Sequence, residues 1–287
     1  MNDSEKNTGQ KRITEENIVP TTPLKLKLKL LDKIAHTGTD IVSFKFARSS
    51  GGDGQQQKQQ QQQNHYLNYK AGQYAIVDLE TKEDPEGPVR SFTMASSPTE
   101  KDFILVSTRI RDTAFKKKLS SLEIGTSVKV TAPFGEFVLH EDYSKPGVFL
   151  SGGIGVTPFR SLVIYATEKQ LPVKIIVFDS NRNEDNILYK KEFDECARIN
   201  TNLKLIYAIA DEKEGPAPSS SSHDYWRGER GFINQAMLTK YLNTNELDNS
   251  IFYICGPPSM LKAMQKLLQD DLHIPKERIK IEEFTGY

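Results

Sequence analysis

The sequence predicts a two-domain protein, in which an N-terminal antiparallel β-barrel is followed by a doubly wound, parallel α/β sheet. Three observations support this prediction. The chain has 287 residues, which is enough for two domains of ordinary size. Short apolar stretches separated by Gly, Pro and Asp fill the first half, as in a small β-barrel. In the second half, β-like and helix-like stretches alternate, as in a parallel sheet.

The first strand of the barrel has the clearest pattern. Between residues 24 and 30, Leu alternates with Lys, which is the period of a half-buried strand. The three lysines form either a basic docking stripe or a solvated strand face, and we favour the solvated face. Further strands are predicted at residues 41–46, 74–79, 92–95, 103–110 and 127–132, with one helix at residues 114–122.

The second domain begins near residue 146, after a boundary that we expect between Tyr143 and Gly147. Its predicted strands occupy residues 148–150, 173–178, 203–209 and 251–254. Its predicted helices occupy residues 159–168, 188–199, 233–241 and 258–272. We therefore assign residues 24–145 to the barrel and residues 146–287 to the α/β domain.

Three polar stretches interrupt this organisation. They are the N-terminal residues 1–23, the Gln-rich residues 49–64 and the Ser-rich residues 212–224. None contains enough apolar surface to offset the entropy that is lost when a chain becomes ordered. We expect the first to be a disordered tail and the other two to be loop insertions.

Composition excludes several classes of protein. Lys plus Arg and Asp plus Glu both number 38, and this neutral charge argues against a nucleic-acid partner. The two cysteines are too few for a Cys-rich zinc site, an iron–sulfur cluster or a disulfide scaffold, so we expect no metal centre. A polar N-terminus, and no apolar run of about 20 residues, predict a cytoplasmic protein without a membrane span.

A glycine-rich turn follows the first strand of the second domain. Gly152, Gly153 and Gly155 allow the backbone to approach a ligand closely. We expect Thr157 to be the N-cap of the next helix and Pro158 its first residue, which would direct free N–H groups at a pyrophosphate. The alternative is a tight strand-to-helix turn without a ligand, because Pro158 replaces the third glycine of the dinucleotide fingerprint.

A second candidate site follows the last predicted strand. Cys255 and Gly256 come where a parallel strand ends, on the sheet edge where such folds bind ligands. Their small size leaves room for a flat ring, although a lone cysteine is more commonly a small core residue. The two turns lie at the same edge of one sheet, so together they predict a dinucleotide site.

A third motif, Arg-Ser-Phe-Thr, lies in the barrel at residues 90–93. Strand alternation places Arg90 and Phe92 on one side, and Ser91 and Thr93 on the other. Arginine can hold a phosphate with two hydrogen bonds, an aromatic ring offers a flat wall, and a hydroxyl offers a donor. These are the parts that a flavin nucleotide needs. The alternative is an ordinary strand with an ion-paired arginine and a phenylalanine in the core.

The order of motifs in the chain resembles the ferredoxin–NADP reductase superfamily. The resemblance covers roughly residues 24–287 and rests on RSFTMASSP, RDTAFKKKL, APFGEF, LSGGIGVTPFRSL, YICGPPSML and EEFTGY. It implies an FAD-binding barrel and an NAD(P)H-binding α/β domain. It also implies hydride transfer from NAD(P)H to flavin N5, followed by electron transfer to a separate acceptor. That acceptor would be a ferredoxin-type protein, a haem protein or a small molecule.

The same resemblance implies roles on the flavin side. Arg90 would bind the FAD pyrophosphate, Phe92 would pack on the isoalloxazine ring, and Thr93 would form a hydrogen bond near N5. The other candidates for contact with FAD are Ser91, Thr108, Arg109 and Lys116. The family usually has Tyr at the Phe92 position and a phosphate-binding hydroxyl near the Lys116 position, so this chain departs from the pattern at both.

On the nicotinamide side, the resemblance implies that the glycine turn binds the pyrophosphate of NAD(P)H through Gly152, Gly153, Gly155, Thr157 and Pro158. Cys255, Gly256 and Pro257 would form the nicotinamide pocket, and the Glu282 carboxylate would lie near that ring. Phe284 would cover the flavin, and Tyr287 would reach its exposed side. The catalytic candidates are Thr93, Cys255 and Glu282.

The choice of nicotinamide donor depends on the loop at residues 179–185. Asp179 would favour the ribose hydroxyls of NADH, whereas Arg182 would bind the 2′-phosphate of NADPH, and we expect NADH. Two alternatives to a free reductase remain open. One is a redox sensor that binds a nucleotide without turnover, and the other is a reductase subunit of a larger electron-transfer complex.

Overall fold

The N-terminal half of the chain folds into a six-stranded antiparallel barrel. The computed structural model describes residues 22–49, 66–210 and 226–283. The strands are β1 (Leu24–Ala35), β2 (Ile41–Ala47), β3 (Tyr74–Asp78), β4 (Val89–Thr93), β5 (Phe103–Arg109) and β6 (Ser127–Phe134), and the one helix is α1 (Ala114–Ser121). They are ordered β4-β3-β6-β1-β2-β5 across the sheet. The three stretches predicted to be disordered lie outside the described residues, except for residues 22, 23 and 49.

The alternation of Leu and Lys along β1 shows which side of this strand faces the barrel core and which side faces solvent. Leu26 and Leu28 are buried in the barrel core, whereas the intervening Lys27 is exposed. The lysines therefore lie on a solvated strand face. The chain beyond β4 meets β5, where the Ala95 N–H donates to the Leu105 carbonyl at 2.7 Å, so the barrel is nearly closed. The predicted antiparallel barrel is confirmed.

The C-terminal half is a parallel, doubly wound sheet. Its strands are β7 (Gly147–Gly152), β8 (Ile175–Asn181), β9 (Leu203–Ile209), β10 (Glu229–Arg230), β11 (Ile251–Gly256) and β12 (Ile279–Glu283). Their order is β10-β9-β8-β7-β11-β12, so the winding direction reverses between β7 and β11. Ligands bind at such switch points in open α/β sheets. The helices are α2 (Thr157–Glu168), α3 (Lys190–Ile199), α4 (Gln235–Tyr241), α5 (Thr244–Asn249) and α6 (Pro258–Lys266).

The helices cover both faces of this sheet. Phe159 of α2 and Phe193 of α3 pack on one face, with Phe149 of β7. Met237 of α4 and Leu261 of α6 pack on the other face. Because the central strands β7, β8 and β11 are covered on both sides, their residues form nearly continuous buried runs rather than an alternating pattern. In the described residues, none of the helices is long and apolar enough to cross a membrane.

The structure differs from the sequence prediction at several elements. The strand expected at residues 92–95 instead spans Val89–Thr93, because its ladder with β3 begins at the pair Val89 and Asp78. The helix expected at residues 258–272 is α-helical only to Lys266 and then continues as a π-turn. Three further elements, β10, α5 and β12, were not predicted from the sequence. Two of these are very short, and β12 is a half-exposed edge strand with little apolar pattern.

The two domains share a hydrophobic core and a buried ion pair. Arg160 of α2 binds the Glu100 carboxylate through both terminal nitrogens, at 2.8 and 3.0 Å, and also donates to the Ala95 carbonyl at 2.9 Å. The adjacent Ser161 hydroxyl donates to the Ser96 carbonyl at 2.7 Å. The side chain of Arg160 is only 7% exposed. These bonds join the helix that follows the glycine turn to the strand end that follows the Arg-Ser-Phe-Thr motif.

We predict that Arg160→Ala lowers the free energy of unfolding by about 3 kcal/mol, because it leaves the Glu100 carboxylate without its buried partner. Urea unfolding followed by circular dichroism measures this loss. Arg198→Ala is the control, because Arg198 forms an exposed pair with Glu195 and its removal should change stability by less than about 0.5 kcal/mol. Equal losses in the two variants would contradict the prediction.

Candidate functional site

The glycine turn lies at the switch point of the parallel sheet. After β7, residues Gly153–Val156 form one turn of 3-10 helix, and α2 begins directly afterwards. Gly153 has a φ of +55°, which favours glycine. A Cβ at Gly155 would collide with the backbone carbonyl of Cys255. The turn can therefore lie directly against the end of β11 only because Gly155 lacks a side chain.

The predicted cap of α2 is wrong in detail. Val156 occupies the N-cap position and supplies no side-chain hydrogen bond, while Thr157 is the first helical residue and is buried. Pro158 follows at the second position. The 3-10 turn between the strand and the helix causes this shift by one residue. A helix start without a side-chain cap still directs N–H groups and a positive dipole end at the sheet edge.

Met260 of α6 lies against the glycines of both turns. It was not predicted as a site residue from the sequence. A Cβ at Gly152 or at Gly256 would collide with its sulfur atom. A flexible, polarizable thioether fits irregular surfaces well. The glycines of both turns thus surround one side chain, beside the buried Cys255 and the half-buried Pro257. Its position in the first turn of α6, directly after Pro257 and Pro258, is the signal that the sequence offered.

A row of polar side chains crosses the sheet beside this turn. Cys255 of β11 is in register with Ser151 of β7 and with Glu282 of β12. Ser151 is in register with Asp179 of β8, which is in register with Tyr207 of β9. Neighbours in register on parallel strands point to the same face of the sheet. Five groups that can carry or donate a proton therefore share one face at the carboxyl edge.

Burial changes the acidity of four of these groups, and in Tyr207 it raises the pKa of the phenol above its ordinary value. It raises the pKa of Asp179 and the pKa of Glu282 to about 7 each. The Cys255 thiol is fully buried, and this burial, reinforced by Glu282, raises its pKa well above the ordinary value. Cys255 is therefore a neutral thiol at physiological pH. Glu282, only partly buried, can hold or release a proton near neutrality.

The expected role of Asp179 is wrong. The residue lies within β8 rather than in the loop after it, and its side chain is fully buried. Its carboxylate accepts hydrogen bonds from Ser151 Oγ at 2.6 Å and from Asn181 Nδ2 at 2.7 Å. Each of its two carboxylate oxygens is held by one of these side chains, so neither is left for a ribose hydroxyl. Arg182, the other residue considered for donor choice, is exposed just beyond the strand.

In the barrel, Arg90 is engaged by the loop that precedes it. Its guanidinium forms ion pairs with Asp84 at 2.5 Å and with Glu86 at 3.0 Å. Phe92 is 7% exposed and belongs to the barrel core. These contacts are the ones that the alternative interpretation of the motif describes. Ser91, by contrast, is exposed.

Two residues next to Phe92 retain unusual polar groups. Thr93 is buried, and its hydroxyl has no hydrogen-bond partner within the described part of the chain. The Lys116 ammonium lies 4.8 Å from the centre of the Phe92 ring and donates to the Thr108 hydroxyl. Burial first, and then repulsion from Arg90, lowers the pKa of Lys116 to about 8. An unpartnered hydroxyl and a buried cation are polar groups that a polar ligand would satisfy.

The side chain of Arg109, at the end of β5, reaches from the barrel to the glycine turn. Its guanidinium pairs with Asp40 and lies 3.4 Å from the position that a Cβ on Gly153 would occupy. The cleft between the domains is therefore lined by a cation from one side and by glycine backbone from the other. Phe284 and Tyr287, also expected at this cleft, lie outside the described residues.

Two family models match the chain in series. An oxidoreductase FAD-binding domain matches residues 57–139, and an oxidoreductase NAD-binding domain matches residues 149–266. Their order is the order of the barrel and the parallel sheet. The first contains the Arg-Ser-Phe-Thr motif, and the second contains both turns at the switch point.

Among curated proteins, the chain is similar to one of the subunits of the Na(+)-translocating NADH-quinone reductase of Idiomarina loihiensis. The two are 30% identical over 226 residues, which are 75% of this chain and 53% of the relative. The chain thus spans about half the length of the curated relatives it matches.

Solved structures share the fold over almost the whole chain. The flavohem-like FAD/NAD-binding domain of nitric oxide dioxygenase from Vibrio cholerae superposes with a TM-score of 0.71 at 18% identity, covering 91% of this chain and 99% of that one. The ferredoxin-NADP+ reductase from Plasmodium falciparum has a TM-score of 0.66 at 17% identity, covering 91% and 96%.

We predict that Asp179→Asn flattens the dependence of stability on pH. The pKa of Asp179 rises from 3.8 to about 7 on folding, so its stabilising contribution is full below pH 3.8 and is lost as the pH rises towards 7. The variant should therefore be more stable than the native chain at pH 8, because it has no carboxyl group whose ionisation burial opposes. The side-chain oxygen Oδ1 of Asn181, which has no hydrogen-bond partner among the described residues, can accept a hydrogen bond from the new amide.

Chemical denaturation at pH 5, 6, 7 and 8 measures this effect. Between pH 5 and pH 7, the native protein should lose up to about 1.4 kcal/mol more than the variant for each step of one pH unit. The exposed Asp271→Asn is the matched control and should retain the native slope. A native slope in Asp179→Asn, or a loss of stability at pH 8, would show that the buried carboxyl group does not titrate in this way.

Proposed function

Because the chain carries both family domains in series, it belongs to the ferredoxin–NADP reductase superfamily, and we propose that it is an NAD(P)H-dependent FAD oxidoreductase. One observation carries the proposal. The two glycine-bearing strand ends meet at the switch point of the sheet, and the barrel reaches that point through Arg109. The cleft between the domains is therefore the place where a dinucleotide and a flavin would meet.

The barrel residues fit FAD by their chemistry. We assign the pyrophosphate to Arg90, Lys116 and the first N–H groups of α1, since paired cations and a helix start bind phosphates. The unpartnered hydroxyl of Thr93 supplies a hydrogen bond to the ring system, and Phe92 supplies an aromatic wall. Ser91, Thr108 and Arg109 are the remaining residues that we assign to this nucleotide.

The sheet residues fit the pyridine nucleotide. We assign the dinucleotide pyrophosphate to Gly152, Gly153, Gly155, Thr157 and Pro158. Cys255, Gly256 and Pro257 would receive the nicotinamide, because a small thiol and two residues without long side chains leave space for a flat ring. When bound, FAD accepts a hydride from the nicotinamide and releases the two electrons separately. The chain itself orients the two rings and keeps water out.

Glu282 would move protons beside the nicotinamide pocket. It is in register with Cys255, and burial raises its pKa to about 7. A carboxyl group with that pKa can take up and release a proton at neutral pH. We therefore retain Thr93, Cys255 and Glu282 as the catalytic candidates.

NADH is the donor that we propose. The matched relatives are named NADH-quinone reductases, which supports this choice. Both cysteines, Cys196 and Cys255, are free thiols, as expected of a reducing compartment such as the cytoplasm. The acceptor would be a ferredoxin-type protein, a haem protein or a small molecule.

A second candidate function is that of a reductase component in a larger complex. The relatives are themselves named as subunits, and the chain spans about half of their length. Gel filtration of a native extract, followed by detection of this chain, separates the two cases. Elution near 32.5 kDa indicates a free reductase, whereas a much larger mass indicates a complex.

We predict that the FAD-loaded protein loses its yellow absorbance when NADH is added without oxygen. Anaerobic stopped-flow spectroscopy at about 450 nm, in the visible absorption band of oxidised flavin, measures the rate, first with NADH and then with NADPH. Faster bleaching by NADH is the expected result. Protein that binds FAD but is not bleached by either donor would instead be a nucleotide-binding protein without turnover.

We predict that Cys255→Leu slows flavin bleaching by about tenfold to a hundredfold while the FAD content stays unchanged. Cys255 is fully buried and its backbone touches Gly155, so a larger side chain would shift the end of β11 and the glycine turn. Displacement of reacting groups by about 1 Å has effects of this size. Cys196→Ala on α3 is the control, because it removes the other thiol away from the switch point. Equal bleaching rates in the two variants would show that Cys255 does not line the nicotinamide pocket.

A further inference from the structure

An acidic side chain of the barrel lies between Arg90 and the start of α1. The Asp84 carboxylate accepts a hydrogen bond from the Phe115 backbone N–H at 2.7 Å and pairs with the Arg90 guanidinium at 2.5 Å. It also accepts the Glu86 N–H at 3.1 Å. The side chain of Asp84 is only 1% exposed, although it belongs to the loop between β3 and β4.

The same loop satisfies the rest of the Arg90 guanidinium. Nη1 donates to the backbone carbonyls of Glu86, Gly87 and Val89, at 3.2, 2.9 and 2.7 Å. Nη2 binds the carboxylates of Asp84 and Glu86. In this arrangement both terminal nitrogens of the guanidinium are bound to loop oxygens, so Arg90 has few N–H groups left for a ligand.

The Asp84 carboxylate makes the contacts that a phosphate group would make. A helix start and an arginine together form a preferred site for a phosphate oxygen, and a carboxylate is the other common anion at such sites. The hydrogen bond from Phe115 is the largest cause that lowers the pKa of Asp84, so the group is a stable anion at neutral pH. Asp84 therefore holds the two donors that we assign to the FAD pyrophosphate.

Lys116 is a second buried cation beside this site, and the loop carboxylates of Asp84 and Glu86 form their ion pairs with Arg90 rather than with it. Its ammonium is buried and bonds to the Thr108 hydroxyl, and no ion pair reaches it from the described residues. Arg90 is close enough to lower the pKa of Lys116. A doubly charged pyrophosphate would neutralise both cations, whereas the single carboxylate of Asp84 pairs with one of them.

The loop that carries Asp84 contributes little to the barrel core, so it can move away from Arg90 without disturbing that core. Pro85, Glu86, Pro88 and Val89 are all exposed, and Asp84 is the one buried side chain between residues 82 and 89. Its side chain is held by polar contacts with Arg90, with the Glu86 N–H and with the start of α1. Exchange of one anion for another would therefore cost the protein little apolar contact area.

We propose that Asp84 is an internal anion that occupies the FAD phosphate seat in the flavin-free protein, and that FAD binds by displacing it. The seat is defined as Arg90 and the first N–H groups of α1. This inference rests on the proposed function, because it assumes that FAD uses this seat. Its consequence is that FAD is an exchangeable ligand and that the flavin-free protein is a stable species.

The test compares Asp84→Asn with Glu86→Gln. Both variants remove one negative charge from Arg90, but the Glu86 side chain is 59% exposed, and within the described residues its carboxylate forms its ion pair with Arg90 and not with the start of α1. Fluorescence titration of flavin-free protein with FAD should show binding about tenfold tighter in Asp84→Asn, because a charge-assisted competitor is gone. Glu86→Gln should change the affinity by less than about threefold. The flavin-free Asp84→Asn protein should also melt at a lower temperature than the native protein.

Unchanged or weaker FAD binding in Asp84→Asn would overturn the inference, since Asp84 would then support Arg90 rather than compete with the flavin. Titration with inorganic pyrophosphate, followed by thermal unfolding, separates this failure from a failure of the proposed function. If FAD binds neither protein, the proposed function fails, but pyrophosphate should still stabilise Asp84→Asn more than the native protein. Equal stabilisation of the two proteins by pyrophosphate overturns the inference.

Discussion

The close approach of the glycine turn to the end of β11 is the contact on which the rest of the site depends. Gly155 lies against the Cys255 carbonyl at a distance that no side chain would allow. Because the turn is so tight, α2 starts at the sheet edge and runs directly into the interface with the barrel. Arg160, one turn along that helix, then reaches Glu100. One backbone contact in the α/β domain thus positions the helix whose Arg160 binds the barrel.

Asp179 and Glu282 at the sheet edge have similar pKa values, but their different positions give their protons different roles. Burial raises the pKa of Asp179 and that of Glu282 to about 7. Asp179 is fully enclosed between Ser151 and Asn181, so its proton can affect stability but cannot reach a ligand directly. Glu282 lies on the edge strand, where its proton can exchange. Only the second position suits chemistry, and both result from one row of side chains across five strands.

In the barrel, the electrostatic constraint is that two cations, Arg90 and Lys116, lie close together at a buried site. Arg90 and Lys116 are close enough to repel each other, and both are largely buried. Such charges persist only when an anion or a set of acceptors compensates them. Asp84 and the loop carbonyls compensate Arg90, and the Thr108 hydroxyl is the acceptor for Lys116. The carboxylate of Asp84 thus lies against the same two groups, Arg90 and the start of α1, that we propose for a phosphate.

The sequence by itself predicted the two-domain order and most of its strands and helices, and it supplied the candidate residues for the two nucleotides. Leu and Lys alternation identified β1, and glycine with proline identified the turn before α2, because these patterns depend on neighbours in the chain. Only the tertiary structure decided that Asp179 is buried, that Asp84 holds Arg90 and that Arg160 joins the domains. Each of these depends on partners that lie far apart in the sequence or in another element, such as Ser151 and Asp179 or Asp84 and Phe115. Burial and pairing of this kind follow from how strands and helices pack, which local patterns do not encode.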